Sequence, residues 1–234
     1  MSDERARALW DAKADEWAAW TGPDGDANRR FITDRVLHRM LGEVRGLRVL
    51  DAGCGVGYLA ARMVRDGAAK VTAIDASPRM VEHAIARGVS ARVDDAQTLA
   101  TVPDRSVDRV VSNFVLMDVP DLDGAVSAIA RVLVPGGVAV LVFSHPCFSE
   151  RGAAPVPYPE ERAIEERWGP FETPFVHFHR PLARYVGALR AAGLALDALE
   201  EPVLDRTAEH PFDAERAERW ATIPMSIAIR AIRA

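Results

Sequence analysis

From about residue 28 to 144 the chain alternates two hydrophobic rhythms. Over 28–45, Ile32, Val36, Leu37, Met40, Leu41 and Val44 fall on one stripe with the 3.6-residue period of a helix. Short apolar runs then occupy 47–52, 70–75, 107–113 and 137–144. They are nearly continuous in hydrophobicity, as strands covered on both faces tend to be. Helical stretches lie between them. Ser77-Pro78 reads as an N-cap with proline in the first turn, and Gly88 as a stop. Residues 121–134 place Val126, Ile129, Ala130 and Leu133 on one side and run into Pro135-Gly136-Gly137, read as the helix end. Strands alternating with helices predict βαβ units, hence a parallel sheet with right-handed crossovers.

The texture changes after Ser144. Residues 146–181 hold seven of the fifteen prolines, with Tyr158, Trp168 and several phenylalanines. Proline removes backbone donors and blocks helices, so this segment is expected to be an irregular, lid-like insert. Order resumes with a helix near 181–192, a strand near 194–200 and a last strand near 223–232. One domain over 1–234 is expected, with 1–27 as an N-terminal cap.

Composition narrows the class. With 49% hydrophobic and 27% charged residues the chain reads as an ordinary globular protein. The balance of 29 basic and 34 acidic residues, net −5, offers no electrostatic footprint for nucleic acid. There is no run of 18 apolar residues, so no membrane partner is expected. The charged start MSDERARALWDAK lacks a signal core and predicts a cytoplasmic location, where Cys54 and Cys147 would be free thiols.

The most informative segment is Asp51-Ala52-Gly53-Cys54-Gly55-Val56-Gly57-Tyr58, an apolar strand running into a glycine turn that opens a helix. Such a turn lets backbone approach a ligand closely, and the helix start presents free N–H groups. A dinucleotide fingerprint would need a small residue where Tyr58 stands, and no nucleoside-triphosphate P-loop is present. Asp51 would repel a pyrophosphate and suits a ligand with a cationic end. At the end of the next strand Asp75 is placed to accept hydrogen bonds from vicinal ribose hydroxyls, or to meet the dipole of the helix after it, and both readings can hold.

The ordered series VLDAGCGVGYLA, VTAIDASPRMVEHA, VDDAQTLATVPDRSVDRVVSNFVLMDVPD and RVLVPGGVAVLVFSHPCF resembles the class I S-adenosylmethionine-dependent methyltransferases. The resemblance implies an α/β Rossmann-like, doubly wound seven-stranded sheet, mostly parallel with the last strand antiparallel and helices on both faces. It implies S-adenosylmethionine as cofactor and S-adenosylhomocysteine as product. It places Asp51, Gly53, Gly55 and Gly57 around the methionine and ribose part, with Ala76 and Met80 packing around the adenine. Asp95 before Ala96 would read the adenine amino group, although the adjacent Asp94 blurs that choice. Asn113-Phe114 would lie beside the transferable methyl, near Met117 and Asp118. Trp17 resembles an aromatic that folds over the cofactor, and core packing of an amphipathic helix explains it as well.

After Asn113 stands Phe-Val-Leu, not the diproline motif that members of this family acting on planar amide or base nitrogens often carry, so the resemblance implies that such acceptors are disfavoured. The expected acceptor is a small, apolar or aromatic molecule attacked through O, N or C, and the chain is expected to be a monomer or homodimer. The competing readings are a cofactor-binding protein without methyl transfer, regulatory or a lyase or cyclase, and a macromolecule methyltransferase. His145, after the fifth strand, and His179, beyond the insert, are candidate general bases, with Asp118 as a carboxylate alternative. His177 and His179 lack a third partner in sequence, so no metal site is expected.

Overall fold

The computed structural model describes residues 3–149, 152–153 and 156–234. Two short helices, α1 (Asp3–Ala12) and α2 (Ala14–Thr21), lead to a π-helical turn, Arg29–Thr33, that continues into α3 (Asp34–Leu41). The βα series follows: β1 (Arg48–Ala52), α4 (Tyr58–Arg65), β2 (Lys70–Asp75), α5 (Pro78–Ala86), β3 (Ala91–Val93), β4 (Val107–Asn113), α6 (Leu122–Val132) and β5 (Leu133–Ser144). Beyond it come the short pair β6 (Phe148–Ser149) and β7 (Gly152–Ala153), then the hairpin β8 (Arg162–Glu166) and β9 (Phe175–His179). The chain closes with α7 (Leu182–Ala191), β10 (Leu194–Glu200), α8 (Ala214–Thr222) and β11 (Ser226–Arg233).

Seven strands form one sheet in the order β10-β11-β5-β4-β1-β2-β3. β1 to β5 pair in parallel, and β11 is antiparallel to both β5 and β10. Alternation sorts the side chains. Leu50 and Ala52 of β1 enter one apolar layer with α6 and α7, while Val49 enters the opposite layer with α3 and α4. Both faces are covered, which is why the strands read as continuous apolar runs. The strand order reverses at β1, between β2 and β4, and an α/β sheet opens its crevice at such a point, beyond the carboxyl ends of the strands.

Three expectations are corrected. The helix expected over 28–45 is a π-helical turn followed by α3, and it stops at Gly42, whose φ of 71° the left-handed region allows glycine without strain. Pro135-Gly136-Gly137 does not end a helix into a loop: it lies inside β5, where Val107 pairs with Leu133 and the register shifts before Arg109. The glycines absorb that bulge, since a Cβ on Gly137 would lie 2.8 Å from the Val134 carbonyl oxygen. The insert 146–181 is not irregular throughout, because its proline-free runs Arg162–Glu166 and Phe175–His179 pair as an antiparallel hairpin. Helix α8 had no counterpart in the sequence reading. Asp213 caps it, accepting from the Arg216 N–H at 2.8 Å, and Trp220 packs with Ile32 and Leu204. Among the described residues no helix is long and apolar enough to cross a membrane.

Candidate active site

The carboxyl ends of β1, β2 and β4 open into a cavity. Its walls include Asp51, Gly53, Gly55, Asp75, Ala76, Met80, Asp95, Ala96, Asn113, Phe114, Asp118 and Trp17. Of the cofactor-binding candidates only Gly57 stays out of the wall, and its conformation shows why. Gly53, Gly55 and Gly57 all have positive φ, at 83°, 51° and 78°. A Cβ on Gly53 would lie 2.3 Å from Val115 Cγ2, and one on Gly57 would lie 2.8 Å from Ala84 Cβ of α5. These two glycines let the turn pack against the protein. Gly55 differs: its Cβ would meet only Trp17 Nε1, at 3.8 Å, so its bare side faces open space.

Backbone amides fix the carboxylates. Asp75 accepts the Gly55 N–H at 2.8 Å and the Ser77 N–H at 2.9 Å, so it is aimed by the glycine turn and by the start of α5 together. Burial raises its pKa. Burial, and then the Asp75 carboxylate, push Asp51 up to about 7. Asp94 is committed to the loop, accepting N–H groups of Asp95, Ala100 and Thr101. Asp95 is the one that lines the cavity, where it accepts the Gln97 N–H and ion-pairs with Arg7. Asn113 donates to the Tyr58 hydroxyl at 2.8 Å, which donates to Asp34 at 3.0 Å.

Three buried oxygens on these walls have no partner among the described residues: Asp51 Oδ2, Asn113 Oδ1 and Thr21 Oγ1. A buried acceptor left unsatisfied is costly. Two of the three are pure acceptors, so the cavity suits a ligand that brings N–H groups or positive charge. S-adenosylmethionine fits this donor set, with an ammonium, a sulfonium, a ribose diol and an amino-purine.

The cap and the π-helical turn after it supply residues that the sequence did not mark. Arg29 of the π-turn ion-pairs with Asp26 and lies over Trp17 and Phe114, with its carbon 5.2 and 4.8 Å from the ring centroids. Phe114 adopts a φ of 59°, and such strain in a bulky residue concentrates at functional sites. Asp11 accepts from the Ser77 hydroxyl and the Arg79 N–H, latching α1 onto the start of α5. Lys13 is buried with its Nζ donating to the Pro174 carbonyl at 2.6 Å and over the Phe175 ring at 3.7 Å, and burial lowers its pKa to about 8. The only sequence signal for Lys13 was its position within the cap 1–27, and Arg29 stood at the start of the helix expected over 28–45.

Both histidine candidates are displaced. His145 and His179 are buried and are not cavity walls. His145 Nδ1 accepts the Cys147 N–H at 3.0 Å, and its Nε2 meets Glu201 at 2.7 Å, so both ring nitrogens serve the β5 terminus. His179 Nε2 bonds the Tyr158 carbonyl at 3.2 Å. The aromatics of the cap and of the insert 146–181 meet mainly one another rather than the cavity. Trp168, Phe171 and Phe175 pack with Trp10 and Trp17, joining insert to cap, while Trp20, Phe148 and Tyr158 remain exposed. Only Trp10 and Trp17 of that set line the cavity. Burial against one another satisfies rings without a ligand. Among the described residues no group of three or more His, Cys, Asp or Glu is placed to hold a metal.

Arg180 secures the loop after β4. It donates to the carbonyls of Leu116, Val119 and Pro120 at 3.1, 2.7 and 2.8 Å, and the Phe178 N–H bonds the Met117 carbonyl at 2.6 Å. Arg180→Ala strips donors from three carbonyls, and bonds to charged groups contribute about 1.5–3 kcal/mol each before relaxation. The expected result is a lower urea midpoint with unchanged slope, read by denaturation followed through tryptophan fluorescence.

The fold and this site define a class I methyltransferase domain, and comparison with known proteins agrees. Residues 50–141 match the family described as "Methyltransferase domain". A demethylmenaquinone methyltransferase of Tropheryma whipplei is 41% identical over 118 residues, 48% of this chain and 48% of the relative. A ubiquinone biosynthesis O-methyltransferase of Xanthomonas oryzae pv. oryzae is 41% identical over 101 residues, 41% of this chain and 42% of the relative. The matching stretch thus spans about half the length of these curated relatives or less. A crystal structure of an S-adenosylmethionine-dependent methyltransferase from Mesorhizobium loti superposes with a TM-score of 0.67 at 26% identity, covering 91% of this chain and 100% of that one. Residues 50–141 thus match a methyltransferase domain, and the fold is shared with S-adenosylmethionine-dependent methyltransferases.

Proposed function

We propose that this protein transfers a methyl group from S-adenosylmethionine to a small, apolar or aromatic acceptor. The observation that carries the reading is the convergence in one cavity of Asp75, held by the Gly55 and Ser77 amides, with the unpartnered Asp51 Oδ2 and Asn113 Oδ1. In this reading Asp75 holds the ribose hydroxyls and Asp51 takes the ammonium. The bare face of Gly55 admits the chain between them, and Arg29 meets the carboxylate end. Ala76, Met80 and Ala96 flank the adenine, and Asp95 turns from Arg7 to its amino group. Trp17 roofs the site beside Phe114 and Asn113. When bound, S-adenosylmethionine supplies a methyl already activated by its positive sulfur. The task left to these residues is to align the acceptor and keep water out, and the aromatic seam between cap 1–27 and insert 146–181 serves the second purpose. The relatives named for quinone biosynthesis support an aromatic acceptor.

The test is ligand-induced stabilisation. S-adenosylhomocysteine at one hundred times its Kd is expected to stabilise the fold by about 2.7 kcal/mol, which raises the Tm by roughly 5–10 °C for a chain of this size. A shift with NAD and none with either adenosyl ligand sinks the proposal. Tight, steeply salt-dependent binding to RNA would favour a macromolecular acceptor instead.

A further inference from the structure

We propose that Asp118 is the residue that takes the acceptor's proton, and that the positive sulfur of the methyl donor charges it for that step. The inference rests on the methyl-transfer reading above and narrows the acceptor to a molecule that attacks through a hydroxyl.

Asp118 sits on the loop after β4, half-buried, with its own N–H bonded to the Val115 carbonyl at 2.7 Å. It lines the same cavity as Asp51, Asp75 and Asp95. The charged groups facing it come from every side. They are Lys13 from the cap, Arg29 from the π-turn, Asp75 from the end of β2 and Arg180 from beyond β9, while Tyr185 of α7 also feels its charge. Each cation is committed elsewhere: Lys13 to the Pro174 carbonyl, Arg29 to Asp26, Arg180 to three carbonyls. Among the described residues none of them hydrogen-bonds the Asp118 carboxylate. Among the described residues the Asp118 carboxylate thus has no hydrogen-bond or ion-pair partner, and it lines a cavity that holds three other carboxylates. Burial there pushes it up to about 8, so at neutral pH it carries a proton. A positive charge entering the cavity favours the ionised form and expels that proton. Of the three bases that the sequence suggested, His145, His179 and Asp118, it is the one that lines the cavity.

The charges then balance within the site. Asp118, as carboxylate, accepts the hydroxyl proton while the acceptor oxygen bonds the methyl carbon. The carbon–sulfur bond breaks with its electron pair left on sulfur. Sulfonium and carboxylate are consumed together, giving an ether, a neutral thioether and a neutral carboxyl. With the thioether product bound, Asp118 keeps its proton.

The test counts protons by titration calorimetry of the full chain with S-adenosylmethionine and with S-adenosylhomocysteine at pH 7, in phosphate, HEPES and Tris. The two ligands share ammonium, carboxylate, ribose and adenine and differ in the methyl and the positive charge on sulfur, so the difference between them reads that charge, and Asp118→Asn assigns it to Asp118 rather than to Asp51 or Asp75. The expected result is up to one more proton released with S-adenosylmethionine, and an affinity ratio that shifts in its favour by up to about tenfold per unit as pH rises toward 8. Asp118→Asn, isosteric with the protonated side chain, is expected to erase the difference. Given a panel of small phenols and matching anilines, the wild type is expected to methylate phenols. Equal proton counts for the two ligands, an undiminished difference in Asp118→Asn, or transfer confined to anilines overturns the inference and leaves the methyl-transfer reading standing. Failure of the wild type to bind either ligand overturns both.

Discussion

Asp75→Asn is expected to weaken S-adenosylmethionine binding by about two orders of magnitude or more. A carboxylate accepting two ribose hydroxyls makes charge-assisted bonds worth roughly 1.5–3 kcal/mol each, and every 1.4 kcal/mol is about tenfold in Kd. Asparagine is the informative replacement because Asp75 also accepts the Gly55 and Ser77 amides, at 2.8 and 2.9 Å. Alanine would orphan both N–H groups and confound folding with binding, whereas Asn keeps one acceptor oxygen. Calorimetry on Asp75→Asn with a wild-type circular dichroism spectrum decides the matter. Unchanged affinity removes Asp75 from the ribose.

Gly57→Ala and Gly55→Ala are expected to fail in different ways. Gly57 has a φ of 78°, and its Cβ would fall 2.8 Å from Ala84 Cβ and 2.9 Å from Ala84 Cα. Left-handed strain of roughly 1–2 kcal/mol adds to an overpacking cost of about 1–3 kcal/mol, since backbone cannot step aside cheaply. At about 2–4 °C per kcal/mol the Tm falls by roughly 4–20 °C. Gly55 has a φ of 51° but open space before it, so alanine there carries the strain without the collision. Its methyl instead projects toward Trp17 and occupies the cradle. Scanning calorimetry without ligand separates the pair, and titration with S-adenosylhomocysteine then shows whether Gly55→Ala has lost affinity out of proportion to its modest change in Tm. If Gly55→Ala binds as the wild type does, the bare face of that glycine does not meet the cofactor.

Much of the site was legible because its parts are local. Asp51, Asp75 and Asn113 each stand at or next to the carboxyl end of a strand. Parallel pairing of β1 with β2 and β4 brings strand ends to one edge, so finding the strands already gathered these residues. Asp94 and Asp95 show where that reasoning stops. Adjacent acids have the same local pattern, and only the loop amides that Asp94 accepts turn it away and leave Asp95 at the cavity.

The sequence by itself determined the alternating βα order, the strand cores and the glycine turn, because periodicity and turn chemistry act over a few residues. The tertiary structure alone decided what the side chains meet. It turned His145 to Glu201 and away from the cavity, across 56 positions, and buried Lys13 against Pro174, across 161. It also folded the aromatics of the insert onto the cap rather than around the acceptor space. Contacts of that span depend on how layers pack, and a hydrophobic rhythm records which face of an element is buried, not which distant residue buries it.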